Sequence, residues 1–366
     1  MNCVLSDIAE VIMGQSPKSE FYNTDGQGMP FLQGNRTFGK RFPIFDTYTT
    51  MATKTARAGD VIMSVRAPVG DLNITPVDMC LGRGVCGVRM KNGNQDFLFY
   101  LLKYYMPQLL NKESGTVFGS VNRNDINGLE LNIPEDENEQ RCIARILAML
   151  DEKIKYNDSI NDNLLQQAET LFKDRFLNTD SLPAGWKIQT LGDVSDMTAG
   201  GDKPKTISDS KTDDCQYPIY SNGISNEGLY GFTNDYKISE ESVTVSARGT
   251  IGYVCLRHIP FTPIVRLVTL IPHRNILSAK YLYLWLKSIP IHGTGTTQQQ
   301  LTVPDFRKTE IMIPTEESMS LFTETINPLF QQIWANQEQN TYLANLRDTL
   351  LPKLMSGELD VSELDL

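Results

Sequence analysis

A run of forty residues without glycine or proline, Glu139 to Asn178, constrains this chain more than any other stretch. Its seam steps alternately by four and three: Ile143, Leu147, Leu150, Ile154, Asn157, Asn161, Leu164, Ala168, Leu171, Arg175. A 3.5-residue period held over more than four heptads is the pattern of a coiled-coil helix. One amphipathic helix cannot bury its own stripe, so this one needs a partner.

The partner lies in the same chain. Shifting the seam by 179 positions gives Phe322, Ile326, Leu329, Ile333, Asn336, Asn340, Leu343, Arg347, Leu350 and Leu354, with the same two asparagines in the middle. The segments before the helices repeat too. Leu5 to Lys18 returns as Leu191 to Lys205, Gly59 to Gly70 as Ser242 to Gly252, and Gly115 to Pro134 as Gly295 to Pro314. The order is globule, helix, globule, helix, with a period near 180. The boundaries fall at 1–134, 135–178, 179–315 and 316–355, followed by an acidic tail, 356–366. Each globule reads as mixed and strand-rich. Asp60 to Val65 and Ser242 to Ser246 are apolar or β-branched runs ending in turns, and Leu129 to Ile133 and Thr309 to Ile313 alternate before a proline. Phe97 to Met106 and Ala279 to Lys287 are short helical patterns. The expected class is α+β: two such domains separated by a long two-helix coiled coil, with an internal pseudo-twofold repeat.

The connection decides how the helices run. A compact globule whose first and last strands lie close together returns the chain antiparallel. Facing seam residues then have numbers of constant sum. Placing Asn157 opposite Asn340 sets the sum at 497, which pairs all ten layers, Leu150 with Arg347 and Asn161 with Asn336 among them. A buried asparagine layer costs stability but penalises slipped registers, so Asn157, Asn161, Asn336 and Asn340 are expected to lock the register.

Composition narrows the function. The net charge is −10, but segments 1–134 and 179–315 carry only +1 and 0, so a DNA-binding face on either is compatible with the balance. The opening M-N-C-V-L-S-D lacks a basic start and an apolar core, so no signal peptide is expected, and no run is long enough for a membrane span. The six scattered cysteines read as reduced packing residues of a cytoplasmic protein. Catalytic motifs fail on inspection. Gly34 to Lys40 fits G-x-x-x-x-G-K, yet Arg41 stands where a phosphate loop needs a magnesium-binding hydroxyl. His258, His273 and His292 show no metal-ligand spacing. Asp151-Glu152-Lys153 resembles a nuclease D/E-x-K but falls on the coiled coil, where a solvated charged face is expected. No catalytic motif and no metal- or cofactor-binding signature of its own is legible in the chain, while an enzyme with its active site hidden in one globule stays open as an alternative.

Two divergent globules, each ending in I-P and each followed by a long helix, resemble the specificity subunit of a type I restriction-modification system. The resemblance covers essentially the whole chain. Its landmarks are L-P-A-G-W-K-I-Q-T-L-G-D-V (Leu182 to Val194), S-A-R-G-T-I-G (Ser246 to Gly252) and L-R-D-T-L-L-P-K-L-M-S-G-E-L (Leu346 to Leu359). The first globule departs from it by lacking an L-P-x-G-W lead-in. The resemblance implies two target-recognition domains, each reading half of a bipartite site in double-stranded DNA. It also implies helices that set the spacing and dock two methyltransferase subunits. Those partners would hold S-adenosylmethionine, and motor-nuclease subunits using ATP and Mg²⁺ would join through the complex. The competing reading is a coiled-coil scaffold with no DNA role. Base contacts need forked donors and amides. Candidates are Arg36, Lys40, Arg41, Arg66, Asn122, Arg123 and Asn124 in the first domain, and Lys203, Lys205, Asn222, Arg248, Gln298, Gln299 and Gln300 in the second.

Overall fold

A computed structural model describes residues 1–111, 119–178, 181–293 and 300–361. The chain divides into two compact units. One comprises Met1–Asp158 with Asn336–Leu366, the other Ser159–Ala335.

In the first unit the opening strand Asn2–Val4 pairs antiparallel with the last, Glu130–Asn132. The Met1 amino group donates to the Ile133 carbonyl at 2.6 Å. Between them lies a four-stranded antiparallel sheet in the order Ala9–Met13, Val85–Met90, Val61–Ser64, Leu72–Ile74. Short strands form a second sheet around Met29–Leu32 and Met79–Leu81. Strand Val61–Ser64 is buried along its whole length because both of its faces are covered. Val61 and Met63 share a core with Phe97, Leu98 and Leu101 of helix Gln95–Leu110, while Ile62 packs with Met79 and Leu81. A strand covered on both sides reads as a continuous apolar run rather than an alternation. Helix Gln95–Leu110 starts where the Asn94 side chain accepts from Phe97 N.

The second unit repeats the plan. Lys187–Thr190 pairs with Glu310–Ile313, and a four-stranded sheet runs Ser195–Ala199, Val268–Pro272, Ser242–Val245, Val254–Arg257. Helix Ala279–Ser288 supplies Tyr281, Leu282 and Leu284 to its core.

The long helices span Glu137–Phe172 and Glu316–Met355. Within the first unit, Ile143, Ala144 and Leu147 of one share a core with Leu351, Leu354 and Met355 of the other. Asn157 Nδ2 donates to Asn340 Oδ1 at 2.8 Å, and Arg347 Nη1 donates to Asp151 Oδ1 at 2.5 Å. Position numbers rise on one helix as they fall on the other, so the two segments run antiparallel here. Within the second unit, Ala168 and Phe172 pack with Phe322, Ile326 and Phe330. Val361 also enters the core of the first unit, while residues 356–360 before it are exposed. Among the described residues, no helix is long and apolar enough to cross a membrane.

One expectation needs correction. Asp151 is not on a solvated face: its side chain is only 15% exposed and accepts from Arg347 Nη1 at 2.5 Å and from Tyr100 Oη at 2.6 Å.

Asn157 is buried, with its amide nitrogen bonded to Gln339 and Asn340 and its Oδ1 without a partner among the described residues. An unpartnered buried polar atom costs about 1–3 kcal/mol. Replacing Asn157 and Asn340 together by leucine is therefore expected to raise stability by an amount of that order. If the pair also locks the register, cross-linking of cysteines placed along the helices will detect slipped pairings in the double variant that are absent from the parent. A single unchanged cross-linking pattern would assign the asparagines no register role.

Candidate nucleic-acid interface

The fourteen candidate contact residues separate by what their side chains already hold. Arg41 points inward, its side chain 16% exposed. It donates to Asp96 at 2.5 Å and to Tyr100 Oη at 3.0 Å, which removes it from any base-reading surface. Lys40 reaches across to the first long helix and pairs with Asp158 at 2.6 Å, and the Asp158 carboxylate also accepts from Asn340. The Lys40-Arg41 pair thus ties the domain to the helix. Asn122 caps helix Arg123–Asn127, accepting from Asn124 N and Asp125 N. Arg123 donates to the Val11 carbonyl at 2.6 Å. Asn222 accepts from Ala247 N at 2.7 Å and donates to the Val265 carbonyl at 2.6 Å. These three side chains hold loops in place in this structure. Gln298 and Gln299 lie outside the described residues.

The remaining candidates are on the surface. Arg36 is exposed and paired with the half-exposed Asp46 at 2.6 Å. That bond holds the Asp46 carboxyl below its ordinary range. Lys203 lies 4.2 Å over the Tyr230 ring and contacts its hydroxyl. Asn124 and Lys205 are exposed. Arg66 and Arg248 are exposed at equivalent places, in the turns that follow strands Val61–Ser64 and Ser242–Val245. The equivalence is fixed by backbone bonds: Val121 N donates to the Val65 carbonyl, and Leu301 N to that of Ala247. Opposite Arg66 stands Ser120; opposite Arg248 stands Gln300, whose Oε1 accepts from Arg248 Nη2 at 3.1 Å.

One residue escaped the reading of the sequence. Arg266 lines the same cavity as Arg248 and Gln300, one of about 410 Å³. The available signal was a basic residue in the turn before strand Val268–Pro272, aligned by the repeat with Gly84 before strand Val85–Met90. Among the described residues, no group of histidine, cysteine and carboxylate side chains has the arrangement of a metal site.

Comparison with known proteins agrees with this architecture. The family model of the type I restriction modification DNA specificity domain matches twice, over residues 2–166 and 183–341, each match taking in one globule and part of the helix behind it. A provisionally named type I restriction enzyme MjaX specificity subunit of Methanocaldococcus jannaschii is 40% identical over 148 residues, which is 40% of this chain and 35% of that one. The type I restriction enzyme MjaIX specificity subunit of the same organism is 26% identical across 98% of this chain and 93% of its own length. The crystal structure of the type I restriction-modification S subunit from M. genitalium shares the fold, with a TM-score of 0.61 at 17% identity over 99% of this chain and 96% of that one. The chain therefore belongs to the type I restriction-modification specificity subunits, a non-catalytic family that recognises DNA through two target-recognition domains.

Proposed function

We propose that this subunit reads a bipartite site in double-stranded DNA, one half per domain, and docks two methyltransferase subunits, through which motor-nuclease subunits join. S-adenosylmethionine, ATP and Mg²⁺ then belong to those partners. The observation that carries the reading is the pair Arg66 and Arg248: one exposed guanidinium at the same place in each repeated domain. Arginine is the residue best suited to the acceptor pair on a guanine edge. Lys203, Lys205 and Arg36 suit phosphate contacts, which position a protein on a duplex and carry no sequence information.

We further propose that the long helices set the distance between the half-sites. The seam from Ile143 to Arg175 covers 32 residue steps, or about 48 Å at ~1.5 Å per residue, equivalent to ~14 base pairs. A heptad inserted into both helices is expected to lengthen the preferred spacer by roughly two to three base pairs. The complex reconstituted with its methyltransferase subunits, mapped on a library of split sites with varied spacers, measures this directly. An unchanged spacer overturns the ruler. Methylation that needs no specificity chain overturns the recognition role as a whole.

A further inference from the structure

The cavity in the second domain has a rim of one chemical kind. Arg248, Arg266 and Gln300 stand around a floor of Ala199, Gly200, Val268 and Leu301. A guanidinium has only donors, so the Gln300 oxygen must face Arg248, with which it bonds at 3.1 Å. That fixes the amide: its NH₂ is the group left for a ligand. Arg266 has no side-chain hydrogen bond or ion pair among the described residues and is exposed. The rim therefore offers hydrogen-bond donors from three side chains, while the Gln300 oxygen accepts from Arg248 and the Thr302 hydroxyl, which also lines the cavity, is engaged with Asp305.

The backbone is arranged to hold this rim. Val265 and Arg266 both have positive φ, 52° and 61°, a conformation that β-branched and long side chains rarely adopt. The turn is kept there by Val265 N donating to the Gly201 carbonyl and Arg266 N to that of Gly200. Gly200 permits the approach, since a Cβ there would lie 2.7 Å from the Ile264 oxygen. Asn222 bonds the residue before each arginine, Ala247 and Val265, and so sets the separation of the two turns.

We infer that this cavity takes the major-groove edge of a guanine in the half-site read by the second domain, with Arg266 the residue that selects it. Guanine presents two adjacent acceptors, N7 and O6, whereas adenine presents an acceptor beside a donor. A rim of donors fits the first and leaves the adenine amino group unpaired. The first domain lacks the device. At the equivalent positions it has Arg66, but Ser120 for Gln300 and Gly84 for Arg266, so its half-site is read by different contacts.

The inference rests on the recognition role proposed above, and the test separates the two. The complex of the full chain with its methyltransferase subunits is profiled on a library of randomised split sites. Arg266→Gly is the informative variant, because glycine adopts positive φ freely and so keeps the turn. It is expected to reduce the preference for guanine at one position of one half-site by at least about tenfold, leaving the other half-site unchanged. Arg266→Lys keeps the charge but loses the fork; it should lose the same preference while keeping the parent's dependence on salt concentration. An unaltered profile, or a uniform loss across all sequences as a phosphate contact gives, overturns the inference. A parent complex that methylates no split site overturns instead the reading on which it rests.

Discussion

Asp151→Ala is expected to destabilise the first unit by about 3–5 kcal/mol, the scale on which removing one partner leaves buried charge uncompensated. Asp151 is the only carboxylate holding Arg347 from across the helix pair, at 2.5 Å among the described residues; the guanidinium's other acid, Asp348, is its chain neighbour. Arg41 lies 3.9 Å away on the other side. The side chains of Asp151, Arg41 and Arg347 are 15–17% exposed, so solvent screens them weakly. Burial first, then the adjacent carboxylate, pushes the Tyr100 hydroxyl above its ordinary range, and it donates to Asp151 at 2.6 Å. Burial, with Arg347 as the second cause, holds the Lys103 ammonium below its usual value. Lys103 keeps Asp348 at 3.6 Å but loses the favourable charge of Asp151, which adds to the cost. Tyr100→Phe, which removes the bond donated to Asp151 and the one accepted from Arg41, should cost about 1.5–3 kcal/mol. Replacing Asp151 and Arg347 together by leucine and methionine should recover most of the loss, because it removes both charges. Urea unfolding followed by circular dichroism, with amide exchange to locate the effect, measures all three. A loss under about 1 kcal/mol for Asp151→Ala would class the network as a surface ion pair.

The same cluster shows where reading the sequence stopped. The repeat, the strand-rich domains and the paired ends of each domain were legible because they rest on periodicity and on residues near one another in the chain. The seam sum of 497 is an arithmetic consequence of that repeat, and Asn157 with Asn340 has that sum. Arg41 was not legible: its partner Asp96 is 55 residues away and its direction is set by the fold. Lys40 and Asp158, 118 residues apart, are the same case. The capping role of Asn122 was legible locally and was passed over. Asn122 and Asp125 have capping-box spacing, as do Thr302 and Asp305 at an offset of 180, and both pairs cap short helices. A polar residue that starts a helix is committed to backbone donors before it can contact a base. Arg266 was missed for the opposite reason. Its one mark in the sequence is a basic residue in the turn before a strand; the left-handed turn and the cavity it lines exist only after strands from distant segments assemble.

Phe322→Ala is expected to destabilise the second unit by about 3–5 kcal/mol, and the chain carries its own probe for it. Phe322 is 1% exposed. Its ring meets Phe176 edge-on at 4.8 Å and lies 6.0 Å from Phe172, while Phe176 meets Tyr281 at 5.0 Å. Truncation loses the transfer term, opens a cavity between the two long helices and helix Ala279–Ser288, and breaks edge-to-face pairs worth about 0.5–1.5 kcal/mol each. The neighbour Leu321 is 52% exposed, so Leu321→Ala should stay within about 0.5 kcal/mol and serves as the control. All three tryptophans, Trp186, Trp285 and Trp334, fall in this unit, so fluorescence excited selectively at tryptophan follows its unfolding alone. With a urea m-value of roughly 2–3 kcal/mol/M, the fluorescence midpoint should drop by about 1–2 M. Amide exchange in the first-unit sheet then decides how far cooperativity extends. Protection there that falls by the same free energy shows one unfolding transition through the shared helices; unchanged protection shows two. A fluorescence midpoint as stable as that of the Leu321 control would remove Phe322 from the core.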